Sequence, residues 1–181
     1  MEAAWDERLR ALIEPAAVVA VLGIGNELMG DDAAGILVVR GLRECSPREG
    51  CGRTVCLFEC HTTPENFTGA IERLKPDLVL MVDAADMGAA AGTTALLDAA
   101  AMGSMMHSTH TMPLSFLAEY IRRTSGAAVA ALGIQAGQIM LDRAISREVA
   151  AAVRQATGKI DALLRTPGPA QEQRAIAGGG H

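Results

Sequence analysis

The chain has 181 residues, half of them apolar, a net charge of −5 and a sequence pI near 5.4. That is enough to bury one sizeable core in a single domain. One Trp, one Tyr and three Phe offer few stacking rings, and the acidic balance offers no basic face, which argues against nucleic acid as a partner. The N-terminal stretch carries Glu2, Asp6 and Glu7 rather than a signal-like apolar segment, and no apolar run approaches the about 18 residues that span a bilayer. A soluble, cytoplasmic protein without membrane insertion is the expectation. The cysteines, Cys45, Cys51, Cys56 and Cys60, form no CxxC pair and are expected as reduced thiols, and the Asn66-Phe67-Thr68 sequon carries no meaning without export.

In chain order, short β-type runs alternate with helical periodicity, the pattern of an α/β fold with a mainly parallel twisted sheet and helices on both faces. Ala17 to Gly23 is continuously apolar, as a strand covered on both sides must be. From Asp32 to about Leu42, Ile36, Val39 and Leu42 recur at helical spacing. Thr54 to Phe58 reads as a second strand, followed by a helix that Pro64 opens and that runs to about Leu74, with Thr62 or Thr63 as cap. The third strand, Leu78 to Val82, ends on Asp83.

Thr93 to Leu97 is a shorter strand, and the irregular Met-rich segment Met102 to Met112 after it suits a site, although most of its methionines are expected in the core. Pro113 starts a helix that Gly126 ends, Ala128 to Leu132 is the last strand, and Ser146 to Leu164 the last helix. The expected organisation is a three-layer domain over residues 1–165. The Pro-, Gly- and Gln-rich residues 166–181 have nothing to bury and read as a disordered tail.

Two ligands compete for the turn VLGIGNELMGDDAAG. A dinucleotide needs G-x-G-x-x-G after a strand, but Gly23 and Gly25 are followed by Leu28 where the third glycine belongs. The pair Asp31-Asp32 would also face the phosphates, and like charges at about 4 Å repel by several kcal/mol in a partly dry site. Glu59, after the second strand, could mimic a ribose-binding acid and keeps a nucleotide-binding α/β domain as an alternative. A cation is favoured by topology. Ligands of doubly wound sheets collect beyond the C-terminal ends of the strands, where Asp32 and Asp83 converge. With an imidazole from His61, His107 or His110, the set would leave open positions on Ni²⁺, Zn²⁺ or Cd²⁺. No G-x-S-x-G elbow occurs, and Cys60 and His61, adjacent in a strand, point to opposite faces and cannot form a nucleophile–base pair.

The stretches GNELMGDDAAG, VDAADMG, STHTMPLSFL and LGIQ, in this order and spacing, resemble the maturation endopeptidases of [NiFe] hydrogenases, above all those that process the large subunit of formate-linked hydrogenase 3. The resemblance runs from about Val18 to about Val153. It implies a protease that removes a C-terminal extension from the hydrogenase large-subunit precursor after nickel insertion. It also implies that Asp32, Asp83 and His110 bind and act through nickel that the precursor brings. Hydrolysis by metal polarisation or by paired carboxylates, as in an aspartyl endopeptidase, both remain open. A non-enzymatic nickel-binding module is the alternative from another class. Asp31 and His107 are expected to be dispensable. One departure is Glu59-Cys60-His61, where relatives carry Asp-Gly-Gly; it stiffens the loop and adds two metal-capable side chains.

Overall fold

The computed structural model describes residues 4–45, 51–97, 102 and 113–169. Five strands form one sheet: β1 (Val18–Ile24), β2 (Thr54–His61), β3 (Leu78–Ala85), β4 (Thr94–Leu97) and β5 (Ala128–Gln135). Their order is β2-β1-β3-β5-β4, with every neighbour parallel except β4, which runs antiparallel to β5. The helices are α1 (Trp5–Ile13), α2 (Ala34–Glu44), α3 (Thr68–Leu74), α4 (Leu114–Ser125) and α5 (Arg147–Leu164).

Strand alternation builds two cores. Val19 and Val21, Leu78, Leu80 and Val82, and Leu132 and Ile134 face one side of the sheet, against Leu9 and Ile13 of α1, Val38, Val39 and Leu42 of α2 and Val149, Val153 and Ile160 of α5. The intervening residues Ala20, Leu22 and Ile24, Val79 and Met81, and Ala131 face the other side, against Ile71 of α3 and Leu114, Leu117 and Ile121 of α4. The three-layer α/β expectation therefore holds, as does the core reading for Met102, which is buried in the second cluster.

Several boundaries differ from expectation. The chain enters α2 through a separate 3-10 turn, Gly30–Ala33, and α3 through another, Pro64–Phe67. Strand β3 runs two residues past Asp83, so that Asp83 lies within the strand, opposite Gly133 of β5. Helix α1 is an addition: Leu9 and Ile13, one turn apart, are buried, and Trp5 and Leu12 pack beside them. Thr166 and Gly168, at the start of the expected tail, hydrogen-bond with Arg53 and Cys51. Residues 170–181 lie outside the described residues.

Candidate active site

The β1–α2 turn is built by glycines that let backbone approach backbone. A methyl group on Gly35 would sit 2.0 Å from the Val82 carbonyl oxygen and 2.4 Å from that of Ile24, and one on Gly23 would sit 2.5 Å from the Gly35 carbonyl oxygen. The start of α2 is thereby seated directly on β1 and β3. The close helix–strand approach that a third fingerprint glycine provides in dinucleotide folds is supplied here by Gly35, seven residues further on than the fingerprint requires. Gly25 has a φ of 133°, and a methyl there would meet the Asp32 carbonyl oxygen at 1.8 Å and Asp83 Oδ1 at 3.7 Å. One glycine thus separates the Asp32 main chain from the Asp83 carboxylate.

Both expected carboxylates are fully buried. Asp32 lies in the 3-10 turn, where its carbonyl accepts from the Asn26 N–H at 3.2 Å. Asp83 Oδ1 accepts from the N–H of Ala84 at 2.8 Å, and by strand parity Asp83 belongs to the face on which α4 packs. That helix directly follows the sequence segment holding the expected third donor. His110 itself, and His107, lie outside the described residues. Among the described residues no group of three or more His, Cys, Asp and Glu side chains is placed to hold a metal ion.

Asp31, which the sequence reading sets apart from the site, is engaged by a distant loop. It is as buried as its neighbour. Its Oδ2 accepts from the N–H groups of Gly137 and Gln138, both at 2.8 Å, and its Oδ1 from the N–H of Ser146 at 2.6 Å. Its own N–H donates to the Gln138 carbonyl at 3.0 Å. Burial pushes the carboxyl up, but the three backbone donors outweigh it and hold its pKa below the ordinary carboxylate value. No local sequence signal announces this role, because every partner of the carboxylate is more than a hundred positions away.

The Glu59-Cys60-His61 departure resolves into three separate environments. Glu59 Oε2 accepts from Arg40 Nε at 2.8 Å, and Arg43 pairs with its other oxygen, while Arg40 also bridges to Glu27. An acid engaged by two guanidiniums is not offered to a ribose, which removes the main support of the nucleotide alternative. Cys60 is buried in the second core, and burial pushes its thiol up to about 12. It is a core residue and not an accessible thiolate. His61 is exposed, 4.0 Å from Glu27 Oε2, so the two neighbours do diverge as expected. A register shift between Gly23 and Ile24 accompanies the end of β2, and His61 takes a φ of 51° there while its carbonyl accepts from the Gly25 N–H at 3.0 Å. This is a conformation that glycine adopts freely.

None of the four cysteines is joined in a disulfide, as expected. None of the described helices is long and apolar enough to cross a membrane.

Comparison with known proteins agrees with this architecture. Residues 36–162 match the family model described as hydrogenase maturation protease. The hydrogenase 3 maturation protease of Escherichia coli is 35% identical over 116 residues, which cover 64% of this chain and 70% of that one. Among solved structures, the [NiFe] hydrogenase maturation protease HycI from Thermococcus kodakarensis superposes with a TM-score of 0.78 at 30% identity, covering 88% of this chain and 99% of that one. A crystal structure of the hydrogenase 3 maturation protease gives 0.70 at 28% identity, covering 86% and 96%. The fold and the family model agree, and the chain belongs to the hydrogenase maturation proteases.

Proposed function

We propose that this protease removes the C-terminal extension of a [NiFe] hydrogenase large-subunit precursor in the cytoplasm, and that it recognises nickel already inserted in that precursor through Asp32, Asp83 and His110. The observation that carries the reading is the pair of fully buried aspartates brought to one glycine at the C-terminal side of a parallel sheet, in a chain of this family. Buried carboxylates are costly unless a donor or a cation receives them. A divalent ion arriving with the substrate would find oxygen donors in such carboxylates.

The nickel is cargo. Bound to soft thiolate donors of the precursor, it would bring Lewis acidity to the scissile carbonyl. The chain's own part is orientation: Asp32 and Asp83 present hard oxygen donors from a rigid turn and a central strand, and His110 contributes an imidazole. Two carboxylates and one imidazole bind nickel weakly alone, so recognition requires the loaded precursor to complete the shell, which makes cleavage a checkpoint on metal insertion.

Purified metal-free enzyme should cut nickel-loaded precursor and leave nickel-free precursor intact, with cleavage followed by intact-protein mass spectrometry. Equal cleavage of nickel-free precursor, with trace metal verified absent, would overturn nickel recognition while leaving the protease assignment in place.

A further inference from the structure

Asp31 adjoins Asp32 in sequence, yet its carboxylate is spent on main-chain groups of another loop. The β5–α5 connection, residues 136–146, meets the β1–α2 turn along its length. The Asp142 N–H donates to the Leu28 carbonyl at 2.8 Å, Met29 bridges to Arg143, and Asp31 exchanges bonds with Gln138 through both its N–H and its side chain. The third carboxylate bond, to Ser146, reaches the N-cap of α5, whose hydroxyl accepts from the Val149 N–H. One side chain therefore ties the 3-10 turn to the loop and to the start of the last helix.

We infer that Asp31 is a positioning residue for the proposed reaction: by fixing the Gly30–Ala33 turn against Gly137, Gln138 and Ser146, it sets the direction in which the adjacent Asp32 presents its carboxylate. The inference rests on the reading of Asp32 given above. The physical ground is that the 3-10 turn spans only four residues and has no side-chain cap of its own. Its orientation is set by what Asp31 holds and by the glycine contacts on its other side. An amide in place of the carboxylate keeps the size but sets an NH₂ against at least one of three N–H donors, so the turn must rotate or the loop must withdraw. Asp32 moves with the turn, and small displacements of a catalytic group cost far more rate than binding.

The test compares Asp31→Asn, Ser146→Pro and Ser146→Ala with Asp32→Asn, under conditions where circular dichroism shows each folded. Ser146 has a φ of −66°, which proline tolerates, so Ser146→Pro deletes one N–H donor without touching Asp31, and Ser146→Ala accounts for loss of the hydroxyl. Asp31→Asn should raise amide hydrogen exchange at Gly137, Gln138 and Ser146, lower kcat for nickel-loaded precursor by about tenfold and leave KM within about threefold. It should also weaken calorimetric binding of Cd²⁺ alone. Ser146→Pro should have a lower kcat than Ser146→Ala and decides the matter if Asp31→Asn fails to fold. Faster exchange with wild-type kcat and unchanged Cd²⁺ affinity would show that the tie is structural only, and would overturn the inference. If Asp32→Asn processes normally, the reading of Asp32 fails instead, and any kcat loss in Asp31→Asn then arises by another route.

Discussion

The two edges of the sheet bury polar groups in opposite ways. At the N-terminal edge, Arg53 is buried and gives its guanidinium to four carbonyls: Ala16 at 2.8 Å, Ile13 at 2.9 Å, Leu164 at 3.1 Å and Thr166 at 2.8 Å. Asp77 Oδ2 accepts there from the N–H groups of Ala17 and Val18, both at 2.8 Å. These charges face main chain and join α1, β1, β3 and the end of α5. The C-terminal edge collects three fully buried aspartates, and Asp31 closes a comparable set of backbone bonds. Charge at one edge joins helices and strands, and at the other it lies beside Gly25, whose position leaves no room for a side chain. Natural proteins accept such local cost at functional sites.

The comparison breaks most visibly at the two aspartates. Asp32→Asn and Asp83→Asn should each lower processing of nickel-loaded precursor by about a hundredfold or more, since each removes one of few donors. Neither should lower the melting temperature by more than about 3 °C, because an amide keeps the size of the side chain and removes a buried charge. A large fall in stability with residual cleavage would mean that this edge, too, serves architecture. Arg53→Met should do the reverse. With four carbonyls losing a charged donor at about 1 kcal/mol each, stability in urea should fall on the order of 4 kcal/mol, while kcat of the remaining folded protein is unchanged.

The smallest effect is expected at the exposed end of β2. His61→Gly relieves a left-handed side-chain conformation worth about 1 to 2 kcal/mol and adds a chain-entropy cost of about 0.5 to 1 kcal/mol. The net change should stay within about 1 kcal/mol, with processing nearly unaltered; a loss of cleavage would bring His61 into the reaction. Its neighbour offers an independent check. With its thiol at about 12, Cys60 should be a thiolate in about one molecule in ten thousand at pH 8. Iodoacetamide should spare it in the native protein and modify it in urea, as peptide mass spectrometry would record.

What was legible in the sequence follows the range of the interactions involved. The apolar runs of β1, β2, β3 and β5, Gly126 after α4 with a φ of 74°, and Ser146 before α5 are local signals, and they placed their elements well. Strand alternation foretold the opposition of Cys60 and His61, although His61 itself leaves extended geometry at the register shift. Helix α1 carries Trp5, Leu9, Leu12 and Ile13 at helical spacing, a signal open to a closer reading of a stretch weighed only for its acidic residues. Asp83 read as the residue after a strand, and not one within it, since Ala84 and Ala85 continue β3 through pairing with Ile134 and Gln135 that no local pattern foretells. The role of Gly35 was open to a closer reading, because a glycine opening a helix after a buried strand calls for close packing. Asp31 was not, for an aspartate beside another aspartate looks the same whether it faces a cation or three distant amides.

That distance bears on how the protein is made. Asp31 is held by residues 106, 107 and 115 positions later in the chain, so closing this knot carries the entropy of a long loop and comes after the strands between have paired. On the ribosome, where chains emerge from the N-terminus and domains fold as units, a polypeptide extended only to the end of β5 would hold all five strands and both buried site aspartates. It would still lack Ser146 and most of the loop that steadies the turn. On the reading given above, the nascent chain gains its full processing rate only once its last helix has been synthesised, and a product ending near Gln135 would also lack Val149, Val153 and Ile160, which cover one face of the sheet.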